Sequence, residues 1–104
     1  MSNDSTVTLY VTYGGAPGAR FDRAYYVDLH LPLVMRHWAQ YGLTSVAAFF
    51  PAMEQPGTLA ICECRFRDDA AVDNAFASPE AAEVMADLPR FTDIAPRRLR
   101  AMPL

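Results

Sequence analysis

With 104 residues, 52% of them hydrophobic, the chain suits a single folded domain over 1–104 and is too apolar for intrinsic disorder. A formal net charge of -3 and a pI near 5.2 give no electrostatic basis for a nucleic acid or anionic membrane as partner. No run approaches the ~18 apolar residues of a membrane span, and the polar start Met1-Ser2-Asn3-Asp4-Ser5 lacks the regions of a secretion signal, so a cytoplasmic location is expected.

Thr6 to Tyr13 alternates and is rich in β-branched and aromatic residues, which predicts a strand. Its faces are Val7/Leu9/Val11/Tyr13 and Thr6/Thr8/Tyr10/Thr12. Gly14-Gly15-Ala16-Pro17-Gly18 is a loop by composition. It lacks the Lys-Ser/Thr of a phosphate-binding loop. Asp22 suits the N-cap of a helix running to about Leu29. Tyr26 and His30, four residues apart, share one face of it. Pro32 is expected to break that helix and to open a second one. Along the second, Leu33, Val34, His37, Trp38 and Tyr41 recur at helical spacing, with Arg36 and Gln40 opposite. Gly42 supplies the stop.

Leu43 to Met53 has strand character, Gln55-Pro56-Gly57 is a turn, and Thr58 to Arg67 is another strand. Ala60/Cys62/Cys64/Phe66 lie on one face of this strand and Leu59/Ile61/Glu63/Arg65 on the other. Cys62 and Cys64 have Cα atoms about 6.7 Å apart on an extended chain, with parallel side chains, which suits reduced thiols better than a disulfide. Cys-Glu-Cys alone offers too few ligands for zinc, so no metal is expected. Asp68 or Asp69 caps a helix with the apolar stripe Ala71, Val72, Ala75 and Phe76. Ser78 as N-cap and Pro79 at the first position open another through about Leu88, with Ala81, Val84, Met85 and Leu88 inward. Arg98 to Met102 is a last short strand, and Arg97, Arg98 and Arg100 read as a solvated edge.

The order β-α-β-β-α-β, with each helical region split in two, predicts an α+β, ferredoxin-like fold. Its four-stranded antiparallel sheet carries helices on one face only. The bare face, with Tyr10, Thr8, alternate residues of Val46 to Phe50, Leu59 and Ile61, is too apolar to stay wet. A homodimer whose two sheets pack into an α/β barrel is expected.

Among residues able to carry chemistry, His30 ranks first, because an imidazole titrates near neutrality. The alternative is a structural histidine donating to a backbone carbonyl at the Pro32 break. His37 lies on the apolar stripe and reads as a satisfied rim histidine. Glu63 and Arg65 on the open sheet face would pair across a dimer, line a cavity or be solvated. A carboxylate at Asp87, near a helix C-terminus, is electrostatically disfavoured and so calls for a partner such as a histidine or a backbone amide. Tyr25, Tyr26, Trp38 and Phe91 fit either a core or the walls of a pocket.

The pattern Phe21-Asp22-x-x-Tyr25-Tyr26-x-x-x-His30-x-Pro32-Leu33-Val34 resembles the EthD family, named from a component of ethyl tert-butyl ether degradation. Ala77-Ser78-Pro79-Glu80-Ala81-Ala82-Glu83-Val84-Met85-Ala86-Asp87, Phe91-Thr92-Asp93 and Tyr41-Gly42-Leu43 extend the resemblance over nearly the whole chain. It implies a dimeric α+β barrel, with His30 in a pocket and Asp87 and Phe91 on its rim. Relatives on such barrels include cofactor-free monooxygenases, muconolactone-type isomerases, and dehydratases or cyclases.

The resulting expectation is an enzyme without a cofactor, acting on an apolar aromatic or carbonyl-bearing molecule in a catabolic or secondary-metabolite pathway. His30 would be the acid/base, oriented by Asp87. Tyr10, Tyr26, Trp38, Glu63 and Phe91 would contact substrate. The rival expectation is a non-catalytic accessory protein delivering a hydrophobic metabolite to an oxygenase, favoured by the lack of a clear second catalytic group. A third, haem held axially by His37, would need open space beside that ring.

Overall fold

In the computed structural model, which describes residues 5–103, the strands are β1 (Val7–Gly15), β2 (Leu43–Phe49), β3 (Gly57–Phe66) and β4 (Arg97–Ala101). They form one antiparallel sheet in the order β2-β3-β1-β4. The first four residues, read above as lacking a signal, lie outside the described set. The helices are α1 (Arg23–Tyr25), α2 (Leu31–Trp38), α3 (Asp69–Phe76) and α4 (Ala81–Ala86). The architecture is the α+β ferredoxin-like one that the strand and helix order predicts.

Side-chain alternation decides which face carries the helices. Val7, Leu9 and Tyr13 of β1 and Ala60, Cys62, Cys64 and Phe66 of β3 are all buried. They meet Tyr26, Val34 and Trp38 from the first helical region and Ala71, Val72, Ala75 and Val84 from the second. The other face holds rows of paired residues. One is Leu99-Tyr10-Glu63-Ala47, and the next is Arg97-Thr12-Ile61-Phe49. Among the described residues, Leu99 is 65% exposed and Phe49 52% exposed. Val46, Ala48 and Phe50, by contrast, pack toward the helices.

Pro32 does not break the first helical region. Between α1 and α2 the chain makes a π turn, Tyr26–His30, in which the Leu31 N–H bonds to the Tyr26 carbonyl five residues back. A proline crowds the carbonyl four residues before it and donates no hydrogen bond. Widening the preceding turn relieves that crowding, so the helix runs through to Trp38. A 3₁₀ turn, Ala39–Tyr41, then leads to Gly42, whose φ of 111° closes the segment as expected.

Other boundaries move by a few residues. β2 ends at Phe49 rather than near Met53. Ser78 does not cap α4; its hydroxyl donates back to the Ala75 carbonyl at 2.6 Å, and the helix starts after Glu80. Asp22 and Asp68 do cap, accepting from the backbone N–H of Tyr25 and Ala71. Arg97, Arg98 and Arg100 are exposed on the edge strand β4, as expected, and the Arg100 guanidinium also bridges Asp69 and Asp73, tying β4 to α3.

Candidate active site

Two chain segments converge under the helical layer. The first carries Tyr25, Tyr26 and His30. The second runs from α4 through Asp87 and the 3₁₀ turn Leu88–Arg90 to Phe91. They are stitched together by the Asp22 N–H donating to the Phe91 carbonyl at 2.8 Å, and by a bridge between Phe21 and Thr92. Arg20 reinforces the join, donating to the Pro89 carbonyl and pairing with Asp93.

At this junction His30 Nδ1 lies 2.9 Å from Asp87 Oδ2, and the histidine is only 4% exposed. The Tyr25 hydroxyl donates to the other carboxylate oxygen, Oδ1, at 2.7 Å. Arg90 approaches the same oxygen at 3.6 Å. Phe91 packs on the imidazole with ring centroids 4.7 Å apart, and Tyr26 stacks on it at 5.5 Å with an interplanar angle of 18°. The ring is therefore fixed in position and in rotation.

Electrostatics sets the protonation states. Burial lowers the His30 pKa below its usual value, with the Asp87 carboxylate pulling the other way and losing. For Asp87, desolvation would raise the pKa. The hydrogen bonds from His30 and Tyr25, together with the charge of Arg90, outweigh it and hold the carboxyl below the usual carboxylate range. Above neutrality the pair is thus an aspartate accepting from Nδ1–H of a neutral imidazole. That tautomer leaves the lone pair on Nε2, the arrangement a general base needs.

His30 also forms part of the wall of a cavity of about 240 Å³. The rest is mostly apolar: Leu9, Val11, Leu31, Val34, Val84 and Leu88 among others, with Trp38 farther along the first helical region. Burial pushes the phenols of Tyr13 and Tyr26 well up, so both stay protonated at neutral pH. Cys64 is held up by its neighbour Cys62 and by burial. Arg98, exposed as expected, also lies over the Phe76 ring at 4.5 Å and borders the cavity.

Of the residues singled out in the sequence, the structure brings His30, Asp87, Tyr26, Trp38 and Phe91 together in and around the cavity. Phe91 and Asp87 back the imidazole rather than line the space. Tyr10 and Glu63 are not brought there. They sit on the bare sheet face, with the Tyr10 hydroxyl 3.4 Å from Glu63 Oε2 and Arg65 beside the same carboxylate. The cavity lies between sheet and helices, because the small side chains Cys62 and Cys64 leave room there.

Sequence reasoning overlooked Tyr25 and Arg90 as partners of Asp87. Tyr25 and His30 are five residues apart, out of line on an α-helix but brought to one carboxylate by the π turn. A proline inside an otherwise continuous helical pattern was the available signal. His37, considered for haem, has its Nε2 against the Glu83 carboxylate instead of facing open space. Among the described residues no group of three His, Cys, Asp or Glu side chains clusters in a way that could hold a metal ion.

Comparison with known proteins follows the same outline. The EthD domain model matches residues 19–95. An EthD-like protein of Ralstonia eutropha JMP134 is 25% identical, with a TM-score of 0.83 over 94% of this chain and 91% of that one. An ethyl tert-butyl ether degradation (EthD) family protein of Bacillus halodurans is 17% identical, with a TM-score of 0.70 over 95% and 99%. SnoaB of Streptomyces nogalater, a cofactor-independent oxygenase, shares the fold at 10% identity, with a TM-score of 0.69 over 95% and 93%. No curated protein matches the chain.

Proposed function

The chain belongs to the EthD family, and on that premise we propose that it is a small-molecule enzyme using cofactor-free acid/base chemistry on an apolar aromatic or carbonyl-bearing metabolite. The observation that carries this is the buried imidazole, held at 2.9 Å by Asp87 and set in the wall of a largely apolar cavity. His30 Nε2 takes a proton from carbon next to a carbonyl, and the electron pair moves onto the carbonyl oxygen. Asp87 steadies the imidazolium, which returns the proton to the same or a neighbouring carbon. The fold shared with a cofactor-independent oxygenase is an analogy of scaffold alone, and the reading rests on the site.

Hydrogen–deuterium exchange gives the test. In D₂O the protein should accelerate loss of the α-protons of 2-tetralone, an apolar enolisable ketone. His30→Ala should reduce that acceleration by roughly 10²- to 10⁴-fold. Exchange that is unaffected by the substitution overturns the acid/base role. Binding of the ketone without exchange assigns the chain instead to carrying a hydrophobic metabolite to another enzyme, the second reading, favoured by the lack of a clear second catalytic group beside His30.

We further propose that a second copy covers the bare sheet face. Exposed Leu99 and Phe49, with Tyr10 and Ile61 beside them, form an apolar surface of the kind that marks an interface. A cytoplasmic, reducing setting suits the two free buried thiols.

A further inference from the structure

We propose that the molecule held in the cavity is elongated and of bicyclic size, with a carbonyl-type acceptor on Trp38 Nε1–H and its acidic or enolisable end at His30. The proposal rests on the His30 reading above and adds a second anchor at the far end of the same space. Trp38 is 3% exposed and borders the cavity. Its Nε1–H is buried and has no acceptor among the described residues. Its ring neighbours, Phe66 and Phe76, offer no oxygen. Buried donors are ordinarily paired, and an indole N–H is a donor only, so an oxygen must come from the occupant or from water it displaces.

Placement sets the occupant's length. His30, Val34 and Trp38 recur every fourth residue, and all three are buried. At a rise of about 1.5 Å per residue, His30 and Trp38 stand roughly 12 Å apart along the axis. A dry cavity of about 150 Å³ holds a benzene. The 240 Å³ here fits two fused rings. Of the other donors at the cavity, Arg98 is exposed, and the Tyr13 and Tyr26 hydroxyls are hydrogen-bonded to each other. Trp38 is thus the buried donor that rewards an acceptor.

The test uses 6-acetyl-2-naphthol, which carries a hydroxyl at one end and a carbonyl at the other, against 6-isopropyl-2-naphthol, of the same shape without the acceptor. Calorimetry on the wild-type protein should show the acetyl compound binding roughly tenfold more tightly. Trp38→Phe should erase most of that preference, while His30→Ala should weaken both compounds alike. Because Trp38 is the chain's single tryptophan, its indole N–H gives one NMR cross-peak, readable without any substitution. The acetyl compound should move that peak downfield, and the isopropyl compound should not. Equal affinities, an unmoved indole peak and intact His30 dependence overturn the Trp38 anchor and leave the His30 site standing. Failure of both compounds to bind overturns the anchor and the cavity reading together.

Discussion

At the scale of single residues, the site is a chain of hydrogen bonds with opposing influences on one imidazole. The His30 pKa lies below its usual value because burial outweighs the Asp87 carboxylate. Neutralising that carboxylate in Asp87→Asn removes the only influence that raises it, so His30 should titrate at still lower pH. Tyr25→Phe works in the opposite sense. With the 2.7 Å hydrogen bond to Oδ1 gone, the carboxylate turns more of its charge toward Nδ1 and the His30 pKa should rise. ¹H–¹⁵N NMR titration of the imidazole reads both shifts, and equal signs in the two variants would break the proposed chain. Stability follows the same linkage. Above the unfolded value of about 6.5 the histidine is neutral in both states and costs nothing. As pH falls below it, the unfolded chain takes up the proton before the folded one does, so stability declines until the folded pKa is passed. Thermal unfolding between pH 7 and 5 should show that decline in the wild type and lose part of it in His30→Gln.

At the scale of elements, local signals located the helices and strands but not the way two helices fuse. Asp22, Asp68 and Gly42 act as their chemistry predicts, because caps and left-handed stops depend on neighbouring backbone alone. Pro32 was misjudged because the relief comes from a π turn, and no spacing rule of 3.6 residues anticipates one. Ser78 was misjudged as a cap because its hydroxyl can equally bond back to Ala75. The Gly42 stop also bears on packing. A Cβ built there would lie 2.7 Å from the Ala71 Cβ of α3, at a φ of 111° that disfavours any side chain. Gly42→Ala should therefore destabilise the fold by about 2–4 kcal/mol. Urea unfolding would register it as a lower midpoint at unchanged slope. A change under 0.5 kcal/mol would mean that α3 shifts freely, which its bridge to β4 through Arg100 argues against.

At the scale of the whole molecule, the one-sided sheet and its bare face were legible because alternation in β1 and β3 sorts residues cleanly between two surroundings. The position of the cavity was not. Tyr10 and Glu63 look like pocket residues only if the pocket lies between two sheets, and the volume beside small Cys62 and Cys64 is a packing outcome that pattern alone does not reveal. The separation of the two faces yields a sharp expectation about assembly. If a second copy covers Leu99, Phe49 and Tyr10, charges placed there should part the subunits and leave the cavity on the other side intact. Analytical ultracentrifugation of the wild type should give twice the 11.5 kDa chain mass, and the double variant Phe49→Lys, Leu99→Lys should sediment as single chains. Burying like charges in such a contact costs several kcal/mol, which at micromolar concentration shifts the equilibrium toward single chains. The variant should keep its His30 titration, since that ring is backed by Asp87 and Phe91 of its own chain. A wild type sedimenting at 11.5 kDa at micromolar concentration would refute the dimer. Loss of the His30 titration on dissociation would instead show that the partner helps to shape the cavity from across the sheet.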